Sequence, residues 1–206
     1  MDPDLIRTWV CAERLALAGF LDDLTESEWS RRSLCDGWTV HEVLAHITMS
    51  NRDTLWGTIA GVVRARLDWN RMTAVQATER AARFTPAELI AQLREGADLH
   101  RRAPGAGVAD PLVDIIVHGQ DIARPLGRTL HSPPERVVVA LDQVLGSRFY
   151  GAPQRVRGAR LTATDTDWTY GEGAQDIRGP VIDLLLRATG RPLDGSGAGP
   201  RAEESA

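Results

Sequence analysis

The sequence predicts a mainly α-helical protein, an antiparallel four-helix bundle that is followed by a small α+β appendage. Apolar residues recur at helical spacing through most of residues 1–150, and capping motifs separate the helical segments. After Tyr150 the pattern changes to alternating β-forming residues and then to one short apolar helix. We therefore expect a helical metal-binding bundle over residues 1–150, an α+β segment over 151–191 and a flexible tail over 192–206.

The first half of the bundle is expected to contain two long helices. Residues 4–24 carry apolar side chains every three to four positions, which is typical of a helix with one buried face. The capping box Thr25–Glu28 starts a short turn that contains Trp29. A second capping box, Thr39–Glu42, opens a helix that is predicted to extend to about Leu67.

The second half of the bundle begins with a polar, arginine-rich helical piece over residues 72–83. The capping box Thr85–Glu88, with proline at the first helical position, predicts a helix to about Arg101. Two further helices are predicted by the same signals. They run from Asp110 to about Pro125 or Gly127, and from a cap at Ser132–Glu135 to about Ser147.

The C-terminal appendage is predicted to be a hairpin and a helix. Val156–Thr164 alternates and is rich in β-formers, and Trp168–Tyr170 is the expected return strand after a turn at Asp165–Asp167. Gly179 and Pro180 then start an apolar helix over Val181–Thr189, which Gly190 closes.

Composition excludes several classes of function. The chain has 206 residues, of which 43% are hydrophobic, and a net charge of −4, so no basic surface is expected for nucleic acid or anionic lipid. No apolar stretch is long enough to span a membrane, and the N-terminus does not resemble a signal peptide, so we expect a cytoplasmic protein. All 24 basic residues are arginines, which excludes a Schiff-base or Walker-type lysine and suggests a GC-rich, actinobacterial source.

The richest chemistry lies in the segment Pro111–Arg124, which reads PLVDIIVHGQDIAR. It is apolar nearly all round, so a buried central helix is expected. Asp114, His118 and Asp121 stand at i, i+4 and i+7, on one stripe of that helix. Burying a polar group without a partner costs roughly 2–7 kcal/mol, so three groups on one stripe require partners. A divalent metal ion would satisfy them.

His46 is the second candidate ligand, because it lies one turn inside the helix that starts at Thr39. If that helix faces the Asp114–His118 helix, two imidazoles and one carboxylate meet in the core. Such a set suits Zn²⁺ or a similar ion and leaves positions open for water or substrate, as in catalytic sites.

Two other interpretations of these residues remain open. His118 and Asp121 can form a buried hydrogen-bonded pair without metal, with His46 pointing at a loop. Asp114 and Asp121 can instead act as a general acid and base, although seven helical residues place them about 10 Å apart.

The remaining candidates favour structural interpretations. His41 is expected to be solvated beside its capping box, and His100 and His131 lie in polar, loop-edge sequence. Cys35 and Cys11 lack the spacing of a zinc ribbon, a thioredoxin-type site or a disulfide scaffold. For Cys35 a small buried cysteine is favoured over a reactive thiol, because buried cysteines are commoner. The tryptophans at helical or capping positions are assigned to the core; they are Trp9, Trp29, Trp38 and Trp56.

Three segments together resemble one known family. Ser33–His46, SLCDGWTVHEVLAH, is similar to the opening signature of the mycothiol-dependent maleylpyruvate isomerase family of the DinB-like superfamily. Asp114–Gly127, DIIVHGQDIARPLG, resembles its second signature. Ala159–Trp168, with Gly171 and the pair Gly190-Arg191, resembles its C-terminal domain. The resemblance covers about Leu5 to Arg191.

The resemblance implies a DinB-like bundle with a divalent ion at its core. It implies His46, Asp114 and His118 as both metal ligands and catalytic residues. In the family the carboxylate is a glutamate, and here it is the shorter aspartate, so Asp121 stays open as the alternative ligand.

The implied activity is that of a zinc- and mycothiol-dependent enzyme. The thiol would be activated as a metal-bound thiolate for addition to a small electrophile, in S-transfer or in maleylpyruvate-type cis–trans isomerisation. Arg52 and Arg124 are candidate contacts for the thiol, and a monomer or homodimer is expected. The alternative is a non-catalytic DinB-like metal-binding protein with a stress or interaction role, or a bundle whose site has decayed.

Overall fold

The computed structural model describes residues 1–49, 69–99 and 107–193. Its α-helices are α1 (Pro3–Asp22), α2 (Glu26–Trp29), α3 (Val40–Met49), α4 (Trp69–Arg83), α5 (Pro86–Glu95), α6 (Asp110–Ala123), α7 (Pro134–Gly146), α8 (Ala152–Arg155) and α9 (Val181–Ala188). A 3₁₀ turn, Arg124–Leu126, extends α6. The strands are β1 (Ala159–Ala163), β2 (Thr169–Tyr170) and β3 (Gln175–Gly179).

Four helices, α1, α3, α5 and α6, pack against one another around a shared apolar core. Each contributes a fully buried large side chain, and these are Leu17, Leu44, Leu89 and Ile116. Burying one such side chain stabilises the fold by roughly 1.5–3 kcal/mol. α4 packs on α3, and α7 packs on α6. The predicted mainly α fold with a small appendage is therefore confirmed.

The three predicted capping boxes are present, and each starts a helix. At Thr39 the backbone N–H donates to Glu42 Oε2 at 2.8 Å, and the Glu42 N–H donates to the Thr39 hydroxyl at 3.3 Å. Thr25 and Thr85 form the same reciprocal pairs with Glu28 and Glu88. These contacts satisfy backbone donors that a helix start leaves free. The box at Thr39 fixes the start of α3 and hence the position of His46.

Glu28 should make the stability of the fold depend on pH. It accepts hydrogen bonds from Arg128 at 2.8 and 2.9 Å, and these bonds, with those from Thr25, lower its pKa to about 2. A lowered carboxyl pKa stabilises the folded state above the ordinary value of 4.5, and the stabilisation is lost as pH falls through that value towards 2. We expect Glu28→Gln to lower the Tm at neutral pH and to lower it progressively less below about pH 4.5.

Thermal denaturation of both proteins between about pH 3 and pH 7 measures this effect. Glu26→Gln, on the same helix and exposed, is the control and should leave the Tm nearly unchanged. A Tm difference for Glu28→Gln that stays constant over the whole range would contradict the prediction.

The predicted end of α5 at about Arg101 is wrong, because the helix ends at Glu95. Gly96 follows as the C-terminal cap, and glycine is a poor helix former. The carbonyls of Gly96, Ala97 and Leu99 turn to accept hydrogen bonds from the buried guanidinium of Arg14 on α1. These contacts fix the chain that follows the helix against α1.

Ser132 does not cap α7, contrary to the sequence prediction. The cap position is Pro133, which makes no side-chain capping bond. The Ser132 hydroxyl instead donates to Glu13 Oε2 at 2.7 Å, and Arg136 donates to the other oxygen of Glu13. The Ser132 hydroxyl, which the sequence predicted as the helix cap, is therefore bonded to the buried Glu13 carboxylate on α1 instead.

Some sequence predictions fall outside the described residues. These are the continuation of the Thr39 helix to Leu67, the residues Arg52, Trp56 and His100, and the tail beyond Leu193.

The appendage contains one strand more than predicted. β1 and β2 form the expected antiparallel hairpin, with Leu161 opposite Tyr170. β3 pairs in parallel with the other side of β1, so the sheet order is β2-β1-β3. The sequence of β3, QDIRG, is polar and mostly exposed, which is why it lacks a strand signal. Gly173 lets the chain pass close to Gly158, since an added Cβ would lie 2.0 Å from its backbone.

α9 connects the appendage to the bundle by packing on α7. The helix ends in a Schellman motif: Gly190 has φ +82°, its N–H donates to the Arg187 carbonyl, and the Arg191 N–H donates to the Leu186 carbonyl at 2.8 Å. Glycine is needed because other residues avoid this left-handed conformation. The motif turns the chain so that Arg191 reaches α6.

No helix in the described part of the chain has both the length and the apolar character that crossing a membrane requires.

Candidate metal centre

Three side chains from two bundle helices converge on one point. His118 Nε2 lies 3.4 Å from Asp114 Oδ1, one turn earlier on α6, and His46 Nε2 on α3 lies 3.7 Å from the same oxygen. The two imidazole rings meet edge to face, with centroids 4.9 Å apart. One donor atom from each of the three residues lies within 4.8 Å of the others. The structure thus brings together the three residues that the sequence singled out as ligands.

These distances fit a small divalent ion. In a tetrahedral Zn²⁺ site with bonds of about 2.0–2.1 Å, neighbouring donor atoms lie about 3.3 Å apart. The observed separations of 3.4 and 3.7 Å are within a few tenths of an ångström of that value. Two neutral imidazoles and one carboxylate are also a donor set that Zn²⁺ and related ions accept.

The centre is accessible from solvent but is not freely exposed. The side chains of His46, Asp114 and His118 are 17%, 29% and 13% exposed. Trp38 lies against His46, with ring centroids 5.2 Å apart. The three donor side chains are therefore partly exposed to solvent, and an aromatic ring lies against one of the two histidines.

Asp121 lies on the opposite edge of the His118 ring. Its Oδ2 is 2.9 Å from His118 Nδ1, whereas Asp114 faces Nε2. Asp121 is fully buried, and Arg191 donates to both of its oxygens, at 3.1 and 2.9 Å. Of the two carboxylates on the stripe, it is Asp114 that the structure groups with both histidines.

Cys35 completes a second cluster, which the sequence analysis did not assign to the site. Its thiol donates to Asp121 Oδ2 at 3.1 Å and lies 3.5 Å from His118 Nδ1. Cys35, His118 and Asp121 also have the composition of a metal site. Their donor atoms, however, already bond to one another and to Arg191, so the His46–Asp114–His118 group is the better candidate.

Cys35 and Arg191 both lie within the motifs on which the family resemblance rests, which is the only signal that pointed to them. The loop that carries Cys35 is fixed to α6 by a hydrogen bond from the Leu34 N–H to the Asp121 carbonyl at 3.0 Å.

The charges around the centre favour a cation. Burial alone would raise the pKa of Asp114, but His46 and His118 outweigh it and lower this pKa to about 2. Burial alone would lower the pKa of His118, but Asp121 and Cys35 hold it well above its ordinary value. The two pKa shifts have the same cause. Asp114 and Asp121 lie on either side of the His118 ring, and their negative charges stabilise a positive charge at that position.

The other predicted residues make contacts outside the group of three donors. Arg124 pairs with Asp183 on α9 and donates to Gln120 at 3.2 Å, so it joins the appendage to the bundle. His41 is half-buried and contacts the Phe84 carbonyl at 3.0 Å, which corrects the expectation that it is solvated. His131 is exposed, as expected. The described tryptophans of the first 40 residues pack against the core; they are Trp9, Trp29 and Trp38.

Comparison with known proteins gives a consistent result. A family model described as the mycothiol maleylpyruvate isomerase N-terminal domain matches residues 10–121, more than half of the chain. A crystal structure of a histidine-to-alanine mutant of mycothiol-dependent maleylpyruvate isomerase is similar, with a TM-score of 0.62 and 13% identity, covering 93% of this chain and 90% of that one. A second crystal structure of mycothiol-dependent maleylpyruvate isomerase has a TM-score of 0.58 and 13% identity, covering 95% and 92%.

No curated protein sequence matches the chain. At 13% identity the structural likeness establishes the fold, and it confirms the predicted DinB-like bundle with its appendage.

Proposed function

Because the chain belongs to the mycothiol maleylpyruvate isomerase N-terminal domain family, we propose that it is a metal-dependent, mycothiol-dependent enzyme. Its reaction is the addition of the thiol to a small electrophile, either as S-transfer or as a cis–trans isomerisation of the maleylpyruvate type. The convergence of His46, Asp114 and His118 on one point is the observation that carries the proposal.

The three residues would hold a divalent ion, with Zn²⁺ as the best fit to the donor set, through His46 Nε2, Asp114 Oδ1 and His118 Nε2. When bound, such an ion supplies a strong local positive charge that lowers the pKa of a thiol beside it.

The chain itself keeps Asp114 in its ionised, metal-binding form. With a pKa of about 2, Asp114 stays ionised at neutral pH and provides a negative donor throughout. Trp38 shields one side of His46 from water, which strengthens electrostatic interactions nearby. The three side chains are partly exposed, as the binding of a thiol and an electrophile from solvent requires.

The two reactions share their first step and differ in the second. In both, the thiol loses its proton and its sulfur forms a bond to one carbon of the electrophile's double bond, whose π bond breaks. In the isomerisation the adduct rotates about what has become a single bond, and the C–S bond then breaks to give the trans product. In S-transfer the neighbouring carbon takes up a proton in place of the broken π bond, and the C–S bond persists. A product analysis that detects free thiol or a thioether therefore separates them.

The test is the rate of mycothiol consumption, and of isomerisation, with a panel of soft electrophiles and maleylpyruvate. We expect the metal-loaded native protein to accelerate at least one of these reactions. The rate of the His46→Ala variant should be lower by a factor of about 10 or more, since losing a metal ligand should cost at least as much as losing a residue that supports one. His131→Ala, which removes an exposed histidine, is the matched control and should keep the native rate. Equal rates for the native protein and His46→Ala with every electrophile would favour a non-catalytic metal-binding protein.

A further inference from the structure

We propose that Asp121, held by Arg191 from the C-terminal segment, is a positioning residue that keeps the His118 ring protonated at Nδ1 and so leaves Nε2 free for the metal ion. The inference rests on the proposed function, because it concerns the same centre. It gives a function to Asp121 and Arg191, which do not belong to the group of three metal-binding residues.

The first step of the argument is the chemistry of the ring. A neutral imidazole has one N–H donor and one acceptor nitrogen, and its partners decide which nitrogen carries the proton. An ionised carboxylate only accepts hydrogen bonds. Asp121 Oδ2 lies 2.9 Å from His118 Nδ1, so the proton belongs on Nδ1. The unprotonated Nε2 then faces the point that Asp114 and His46 share.

The second step is that the carboxylate of Asp121 is already held by other donors, above all at Oδ2, the oxygen that faces His118. Arg191 Nε donates to Oδ1 at 3.1 Å and Nη2 donates to Oδ2 at 2.9 Å, a two-point contact that fixes the plane of the carboxylate. The Cys35 thiol donates to Oδ2 at 3.1 Å. With His118, four donor contacts occupy its two oxygens, and the side chain is fully buried.

The third step is that Arg191 is itself fixed. The Schellman motif at Gly190 sets its backbone, and its Nη1 donates to the Thr189 carbonyl at 3.1 Å. The guanidinium therefore reaches Asp121, 70 residues earlier in the chain, from a rigid helix end. Through this contact the C-terminal segment acts on the orientation of a metal ligand in the bundle.

His46 provides a comparison within the same centre. Its Nδ1 is buried and has no hydrogen-bond partner among the described residues. Asp121 thus fixes the ring of one histidine of the pair, whereas the described residues provide no such partner for the other. The tautomer of His46 should accordingly be insensitive to changes at Asp121.

The experiment uses the ¹⁵N-labelled full-length protein. Long-range ¹H–¹⁵N spectra of the metal-free protein report the tautomer of each histidine at a pH high enough for His118 to be neutral, because its pKa lies well above the ordinary value. Competition with a chelator at the same pH gives the affinity for Zn²⁺. In Asp121→Asn the amide can donate to Nδ1, which selects the wrong tautomer without moving the ring, as is known for the equivalent change in a serine-protease triad. We expect His118 to move from Nδ1–H to Nε2–H and the Zn²⁺ affinity to fall about 10- to 100-fold.

Two further variants control the result. Asp110→Asn makes the same change on the same helix, but Asp110 contacts Gln143 and Tyr150, so tautomer and affinity should stay native. If Asp121→Asn does not fold because Arg191 is left with a buried unpaired charge, the double variant Asp121→Asn/Arg191→Gln removes both charges and allows the same measurement.

The outcomes separate the two proposals. If the native protein binds Zn²⁺ and the Asp121 variants bind it equally tightly with an unchanged His118 tautomer, the positioning role is overturned and the proposed function stands. If the native protein binds no metal ion at all, the proposed function fails and the positioning role fails with it. A tautomer change together with weaker binding supports the positioning role and the metal site on which the proposed function rests.

Discussion

The His118→Ala variant is expected to lose the bound divalent ion entirely, whereas the native protein should carry about one ion per chain. His118 supplies Nε2 to the group of three donors and connects that group to Asp121. Its removal leaves only His46 and Asp114, fewer than the three protein ligands of a catalytic zinc site. Elemental analysis of protein purified and dialysed under identical conditions measures the difference.

Comparison variants make this result specific. His131→Ala should retain the ion, because His131 is exposed. Asp114→Ala should lose it, and Asp114→Glu should retain it, since glutamate supplies the same donor on a longer arm. If His118→Ala and His46→Ala both keep a full complement of metal, the centre is wrongly assigned. If Asp121→Ala abolishes binding and Asp114→Ala has no effect, the wrong carboxylate has been chosen.

The Arg191→Ala variant is expected to lower the free energy of unfolding by about 3 kcal/mol, near the lower end of the range for a broken buried ion pair. Asp121 is fully buried and loses both of its hydrogen bonds from Arg191. The loss of unfolding free energy is expected to stay near the lower end of that range, because His118 Nδ1 still lies 2.9 Å from the Asp121 carboxylate. Such a change is a large fraction of the stability of a typical domain.

Urea denaturation of the metal-free proteins measures this loss. Arg7→Ala is the matched control, because it also breaks an arginine–aspartate contact, but one whose side chains are 48% and 81% exposed. Exposed pairs contribute about 0–1 kcal/mol, so this control should unfold almost as the native protein does. A loss for Arg191→Ala no larger than that of Arg7→Ala would show that the contact with Asp121 does not stabilise the fold.

The features that could be predicted from the sequence depend on neighbours within one or two helical turns. Asp114 and His118 share a face because a helix repeats every 3.6 residues, whatever surrounds it. The capping boxes at Thr25, Thr39 and Thr85 also form within four residues, so their side chains encode them locally. The family resemblance rests on these same short segments.

The features that the sequence could not provide join residues far apart in the chain. Where the sequence predicted that α5 would continue, the carbonyls of Gly96, Ala97 and Leu99 instead bond to Arg14, which lies 82 to 85 residues earlier in the chain. β3 forms because β1 offers its free edge, although its own residues have little β character. Ser132 turns from its helix to Glu13, 119 residues away. In each case a tertiary partner outweighs a local preference.

The sequence by itself determined the mainly helical bundle, the stripe of Asp114 and His118 and the candidacy of His46, because local periodicity and side-chain chemistry carry that information. Only the tertiary structure decided that Asp114 faces His46, and that Asp121 instead joins Cys35 and Arg191, which lie 86 and 70 residues from it in the chain. The physical reason is that side-chain direction on one helix is set locally, whereas the partner that meets it depends on how buried apolar surfaces pack helices against each other.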